Sequence, residues 1–253
     1  MDEIYSYPHY YDIAFGYRDI AAEIDELERC FQRFASPGLE SILELGCGTA
    51  PHMPALTRRG YFYTGLDISP SMLAFAEKRS ERHNAPAQFL RGDMVDFQVP
   101  QSADCLLILL GSLYVKNTEE LKSHLRAAAA ALKPGGLFIL DWCIDFEPLA
   151  DRRQFWQERS GGVHIDVTYT TKTKDPSRQL YEETIILDVQ DGHRQRSIHS
   201  ISQRRAIYPQ EFLLALELVG HWEFLGWYQD WNIDRPLDGL KHVENPLVVL
   251  RRT

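Results

Sequence analysis

Three acids in this chain stand where acids can hold a nucleoside. Glu44 closes the apolar run Ser41-Ile42-Leu43-Glu44-Leu45, and Gly46-Cys47-Gly48 follows at once. Asp67 closes Phe62-Tyr63-Thr64-Gly65-Leu66-Asp67, 19 residues past Gly48. Asp93 stands beside Met94 after Gln88-Phe89-Leu90-Arg91. The glycines allow a tight turn on which a ligand lies against bare backbone. A carboxylate at Asp67 can accept both hydroxyls of a ribose in charge-assisted bonds. Asp93 can accept from an adenine amino group while Met94 packs on the ring. Glu44 can orient the glycine turn or hold a ligand ammonium group. Ligands of open α/β sheets bind at this carboxyl edge.

The elements that must carry these residues alternate. Strands are predicted near 41–45, 62–67, 88–91, 103–110 and 137–141. Helices are predicted over 19–35, after Gly48 with Pro51 in the first turn, from Ser69-Pro70 to about Arg82, and from a Thr118 cap to Leu132. Ser36-Pro37-Gly38 stops the first helix. The alternation predicts a Rossmann-like, mostly parallel sheet with helices on both faces. After Trp142 the period becomes two. Val163, Ile165, Val167 and Tyr169 alternate with polar residues, and Asp191-Gly192 is a hairpin turn. This predicts an antiparallel meander of about three strands. A helix from Pro209 and a final strand pair, 222–231 and 247–251, return the chain to the main sheet. The division is one domain over 1–253: an aromatic arm and helix at 1–35, a cofactor-binding core at 36–150, an inserted β-subdomain at 151–207, and the return at 208–253.

Pro51 occupies the sixth position of the loop, where a dinucleotide fingerprint has glycine or alanine, and a ring there disfavours NAD or FAD. Glu44-Leu45-Gly46-Cys47-Gly48-Thr49-Ala50, Gly65-Leu66-Asp67-Ile68-Ser69, Gly92-Asp93-Met94 and Leu132-Lys133-Pro134-Gly135-Gly136 resemble successive motifs of the class I S-adenosylmethionine-dependent methyltransferases, small-molecule type. The resemblance covers about residues 10–142. It implies a seven-stranded sheet whose last strand runs antiparallel, with S-adenosyl-L-methionine as cofactor. It also implies that Glu44, Gly46, Gly48, Asp67, Ile68, Met72, Asp93, Met94 and Leu110 line the cofactor site. Ala50 replaces the glycine most common in the family. The aromatic arm, with Tyr11 and Tyr17, resembles the lid of glycine-type and amino-sugar N-methyltransferases.

The activity implied is in-line methyl transfer to a small-molecule amine or hydroxyl. The alternatives are a non-catalytic cofactor-binding protein and a methyltransferase acting on protein or RNA. An oxygen acceptor needs a base where an amine need only arrive unprotonated. Tyr114 near the acceptor, and His164 and His199 as bases on the insert, are the catalytic candidates; Asp141 has a similar standing to the histidines, and Trp142 is a candidate aromatic face for the sulfonium.

Of the 253 residues, Asp and Glu outnumber Lys and Arg by 36 to 27, a net charge of −9 that argues against a nucleic-acid partner. The N-terminus lacks the pattern of a signal peptide, and no apolar run approaches the roughly 20 residues of a membrane span. The four cysteines have no metal-like spacing and read as core residues of a reducing compartment. The expectation is a cytoplasmic enzyme with a small-molecule substrate, and with neither membrane nor metal.

Overall fold

A computed structural model describes residues 3–35 and 38–253; the helix stop expected at Ser36-Pro37 lies outside the described residues. The arm is a 3-10 turn, Glu3–Ser6, and α1 (Pro8–Ala14), with Pro8 in its first turn. α2 (Ile20–Phe34) is capped by Asp19, whose side chain accepts from Ala22 N, and it buries Ile24, Leu27, Cys30 and Phe31. Then come β1 (Ser41–Leu45), α3 (Met53–Arg58), β2 (Phe62–Asp67) and α4 (Pro70–His83). Ser69 caps α4 by accepting from Met72 N, and Asn84 ends it in the left-handed conformation at φ 48°. β3 (Ala87–Arg91), β4 (Ala103–Ile108), α5 (Thr118–Ala131) and β5 (Leu132–Asp141) complete the first half.

Beyond Asp141 lie β6 (Arg152–Ser160), β7 (Val163–Asp175), β8 (Leu180–Asp191) and β9 (Arg194–Arg205), then α6 (Pro209–Val219), β10 (Trp222–Gln229), β11 (Asn232–Pro236) and β12 (Pro246–Arg252). The main sheet runs in the order β11-β10-β12-β5-β4-β1-β2-β3. β3, β2, β1, β4 and β5 are parallel; β12 enters antiparallel against β5. That last strand runs as the resemblance implies, but the sheet has eight strands rather than seven. After β10 the chain turns back at Asp230-Trp231, both at positive φ, and adds β11 as an outer edge.

Alternation along the strands sorts the core. Leu43 and Leu45 face the α5 and α6 side, with Leu106, Leu125, Phe138 and Phe212. Ile42 faces the α2 and α3 side, with Ile24, Leu27, Met53 and Leu107. Glu44 shares the parity of Ile42, so its carboxylate lies on the α2 and α3 side.

Four local expectations need correction. Thr118 is the first helical residue of α5, and the cap is Asn117, whose side chain accepts from Glu120 N. Pro51 precedes α3, and Pro54 takes the first-turn position. Lys133–Gly136 lie within β5, which begins at Leu132. The insert has four strands, in the order β6-β7-β8-β9. β6 escaped detection because it is an exposed edge with scarcely an apolar pattern, pairing from Arg152↔Thr171 to Ser160↔Val163. One face of the insert buries Val163, Ile165, Val167, Ile185, Leu187, Val189 and Ile198 against Ile4, Ile13 and Ala14 of the arm.

Candidate functional site

The glycine turn connects β1 to α3 and needs backbone only certain residues adopt cheaply. Gly46, Gly48 and Ala50 have φ of 63°, 53° and 51°. A Cβ on Gly46 would sit 3.1 Å from Met94 Cε and 3.2 Å from Ser112 Cβ. A Cβ on Gly48 would meet nothing but Gly46 O, 4.0 Å away. Gly46 is therefore fixed by packing, while Gly48 leaves bare backbone facing open space. Ala50 is fully buried in the same left-handed region, so the family's preference for glycine there has a conformational basis.

Asp67 ends the neighbouring strand. Its carboxylate accepts Gly48 N–H at 2.8 Å and Ser69 N–H at 2.8 Å. Burial pushes its carboxyl up, and the Ser69, Gly48 and Ile68 amides pull it back down. Ile68, by contrast, is 53% exposed, an apolar side chain left uncovered beside a charged one. Met72 is buried one helical turn on, under the cap of α4.

A cavity of about 400 Å³ opens over this turn, within the usual range for small-molecule sites. Glu44, Gly46 and Gly48 form its floor, Leu110 and Ser112 one wall, and Tyr11, Phe15 and Arg18 its cover. Leu110, at φ 54°, donates its N–H to Asp141 Oδ2 at 2.9 Å. Met94 approaches from the side, its sulfur accepting Tyr114 N–H at 3.5 Å. Asp93 is exposed, and its carboxylate accepts Val95 N–H at 3.0 Å.

Beneath the cover lies a buried ionic network that sequence reasoning missed. Arg18 donates to Glu23 Oε1 at 2.7 Å and to Asp141 Oδ2 at 3.0 Å. His52 Nε2 is 2.6 Å from Glu23 Oε2, and its buried Nδ1 has no partner among the described residues. Burial works against ionised Glu23, but His52 and Arg18 outweigh it and hold the carboxyl low. Burial pushes Glu44 up, against His52, the Tyr63 hydroxyl that donates to it at 2.7 Å, and Arg18. Arg18 and His52 each touch the cavity. Asp141, once a candidate base, has its lone pairs taken by Arg18, Leu110 N–H and Trp231 Nε1. The membership of this network was not legible because it joins positions 18, 23, 52, 141 and 231.

The cover is pinned from α1. Asp12 accepts the Thr49 hydroxyl at 2.7 Å and pairs with Arg79, which also donates to Thr49 O at 3.0 Å. The arm is thus tied to the glycine turn itself. Tyr11 lines the cavity, and burial, with Tyr114, Asp67 and Glu183 nearby, drives its hydroxyl far up. Tyr17 is 49% exposed, edge-on to Trp156 at 6.1 Å, at the rim of the insert.

Tyr114 stands where the arm, the β4 loop and the insert meet. Its hydroxyl is 3.0 Å from Tyr5 Oη. The two histidines are a correction. In β7 the buried residues are Val163, Ile165 and Val167, so His164 lies on the opposite face, between Arg159 Nε at 3.0 Å and Asp166 at 3.1 Å. In β9 Ile198 and Ser200 are buried, and His199 is exposed beside Ser197 Oγ at 2.9 Å. Neither is placed to take a proton in the cavity. Trp142 is 45% exposed, at φ 59°, rather than part of the core.

Among the described residues no helix is long and apolar enough to cross a membrane, and no cluster of His, Cys, Asp and Glu could hold a metal.

A family model described as a methyltransferase domain matches residues 42–136. The dTDP-3-amino-3,4,6-trideoxy-alpha-D-glucopyranose N,N-dimethyltransferase of Streptomyces venezuelae is 31% identical over 49% of this chain and 51% of its own. The chain spans about half the length of the curated relatives it matches. An S-adenosylmethionine-dependent methyltransferase from Clostridium acetobutylicum superposes with a TM-score of 0.79 at 20% identity, over 96% of both chains. An amino pentose methyltransferase from Micromonospora echinaspora, solved with S-adenosylmethionine bound, gives 0.73 at 20% identity over 96% of both chains. The fold, including the antiparallel sheet, is therefore shared along almost the full chain.

Proposed function

We propose, for a chain whose residues 42–136 are a methyltransferase domain with the Rossmann-like fold of that class, that it transfers a methyl group from S-adenosyl-L-methionine to a small-molecule amine or hydroxyl. The observation that carries this is Asp67, held by Gly48 and Ser69 amides beside exposed Ile68 at the open glycine turn. That arrangement suits a ribose on the carboxylate and an adenine on the apolar side chain. The donor set of the cavity fits the rest of the cofactor: Gly46 and Gly48 offer bare backbone, and Arg18 with Glu44 offers opposite charges for an amino-acid group.

S-adenosyl-L-methionine supplies a methyl group already activated on a positively charged sulfur. The chain's task is to position and to exclude water. Tyr11 and Phe15 cover the cavity, and Asp12 holds that cover to Thr49 and Arg79. Leu110 and Ser112 form the wall at the end of β4. The Asp141 carboxylate fixes the Leu110 amide and keeps the wall in register with Arg18. Aromatic faces beside the reacting centre tolerate cationic charge.

The finer reading is an amino group on a small polar molecule. Curated relatives name an aminosugar N,N-dimethyltransferase and also O-methyltransferases, so names alone leave both open. The unsuitable placement of His164 and His199 favours an acceptor that brings its own lone pair. Calorimetry with S-adenosylhomocysteine, followed by a labelled-methyl screen of amines and alcohols, tests both levels. Tight S-adenosylhomocysteine binding with label appearing on amines is expected. No binding removes the cofactor reading, and label on alcohols alone removes the amine.

A further inference from the structure

The end of the insert reaches into the site through one side chain. Arg204 stands on β9, one residue before the strand closes. Its guanidinium donates to Glu183 Oε2 on β8 at 3.0 Å and to the carbonyl of Gly111 in the loop after β4. Its Cζ lies 3.9 Å from the centre of the Tyr114 ring. Glu183 is 3% exposed and also accepts the Tyr169 hydroxyl at 2.8 Å, so both halves of the ion pair are fixed by the insert. The far partners belong to the cavity. Gly111 lies between Leu110 and Ser112, the residues that form its wall. Tyr114 N–H rests on Met94 Sδ at 3.5 Å, and Met94 Cε limits the space at Gly46. Gly111 itself has φ 62°, and a Cβ there would approach Trp142 O to 3.0 Å, so this loop has little freedom to adopt another path.

We propose that Arg204 is a positioning residue that couples the inserted sheet to the cofactor cavity, holding Gly111 and Tyr114 so that Leu110, Ser112 and Met94 present the shape the cofactor needs. The inference rests on the cofactor reading above. The coupling uses a planar, multi-donor group: one edge bonds carboxylate and carbonyl while one face covers an aromatic ring. An ammonium on a flexible stem meets one of these demands at a time. The insert is then a working part of the cofactor site.

The test compares wild type with Arg204→Lys and Arg204→Ala in the full chain. Hydrogen exchange without ligand reads the loop directly. In Arg204→Lys, amides at 110–116 are expected to exchange about tenfold faster, with those at 41–45 unchanged. Calorimetry with S-adenosylhomocysteine is expected to show affinity lowered about three- to thirtyfold. Methylguanidinium, at a level that leaves the wild-type melting temperature unchanged, is expected to restore protection at 110–116 in Arg204→Ala. Wild-type exchange at 110–116 in Arg204→Lys overturns the proposal, as does faster exchange spread evenly over the chain. If Arg204→Ala fails to fold, Arg204→Lys decides alone. Should wild type itself not bind S-adenosylhomocysteine, the cofactor reading falls, and the exchange result still decides whether Arg204 holds the loop.

Discussion

The Gly48 amide donates to Asp67 Oδ2 at 2.8 Å, tying the ends of two adjacent parallel strands together at the turn where Gly48 lines the cavity. Asp67 thus shapes the glycine turn, and the proposed cofactor would use its remaining lone pairs. Asp67→Ala is expected to weaken S-adenosylhomocysteine binding by about 1–3 kcal/mol, read by calorimetry. Because burial raises the carboxyl's pKa, binding that uses the ionised form weakens as pH falls, and does so sooner than for an ordinary aspartate. A titration series in which Asp67→Ala shows the same acid limb as wild type contradicts that assignment.

Arg18 bridges Glu23 and Asp141, both nearly buried. Removing it takes from Asp141 its ion pair and leaves Glu23 to His52. Arg18→Met is expected to destabilise the fold by about 3–5 kcal/mol, measured by urea unfolding. Adding Glu23→Gln to Arg18→Met is expected to recover part of that loss, and a purely additive double variant counts against the network.

Gly65 has no room for a side chain. A Cβ there would lie 2.7 Å from Cys47 Sγ and 3.1 Å from Phe89 Cδ1. Gly65→Ala is expected to cost about 1–3 kcal/mol through overpacking beneath the glycine turn. Cys47→Ala removes the closest atom, so the double variant is expected to be more stable than the sum of the singles. Thermal unfolding of the four proteins in the cycle checks this.

His124 is a buried neutral histidine. Burial lowers its pKa to about 4, against the Met94 carbonyl that its Nδ1 contacts at 2.7 Å. A base whose folded pKa is depressed binds fewer protons folded than unfolded, so stability is present above the unfolded pKa and falls with pH from about 6.5 towards 4. The loss across that window is of order 3 kcal/mol. His124→Asn keeps a donor near Nδ1 and removes the titration. Its stability is expected to fall less steeply than wild type between pH 6.5 and 4, as read by urea unfolding at several pH values.

The parallel half of the fold was legible because its signals are local. Apolar runs ending on acids, glycine turns and capped helices each lie within about ten residues, as at Ser69-Pro70 before α4. The same locality exposed Gly46, Gly48 and Asp67. Arg18, His52 and Arg204 were hidden because their roles depend on partners 5 to 123 positions away. For His164 the warning was present: Val163, Ile165 and Val167 fix the buried parity, and the histidine is out of phase with it. For His199 no such warning existed, since Ile198 and Ile201 have opposite parity and only the first is buried. β11 carries no apolar alternation and is set by the reversal at Asp230-Trp231.

The small core that Ile4, Ile13 and Ala14 share with Val163 through Ile198 has a consequence for how the chain is made. The arm is synthesised roughly 150–190 residues ahead of these partners, at about 5–20 residues per second. Until then the arm has only its ties to Thr49 and Arg79, and so distant a pairing is slow to close. The parallel sheet has most of its strands well before that moment. Packing of the arm on the insert is therefore a late event of maturation, ahead only of α6 and the last three strands.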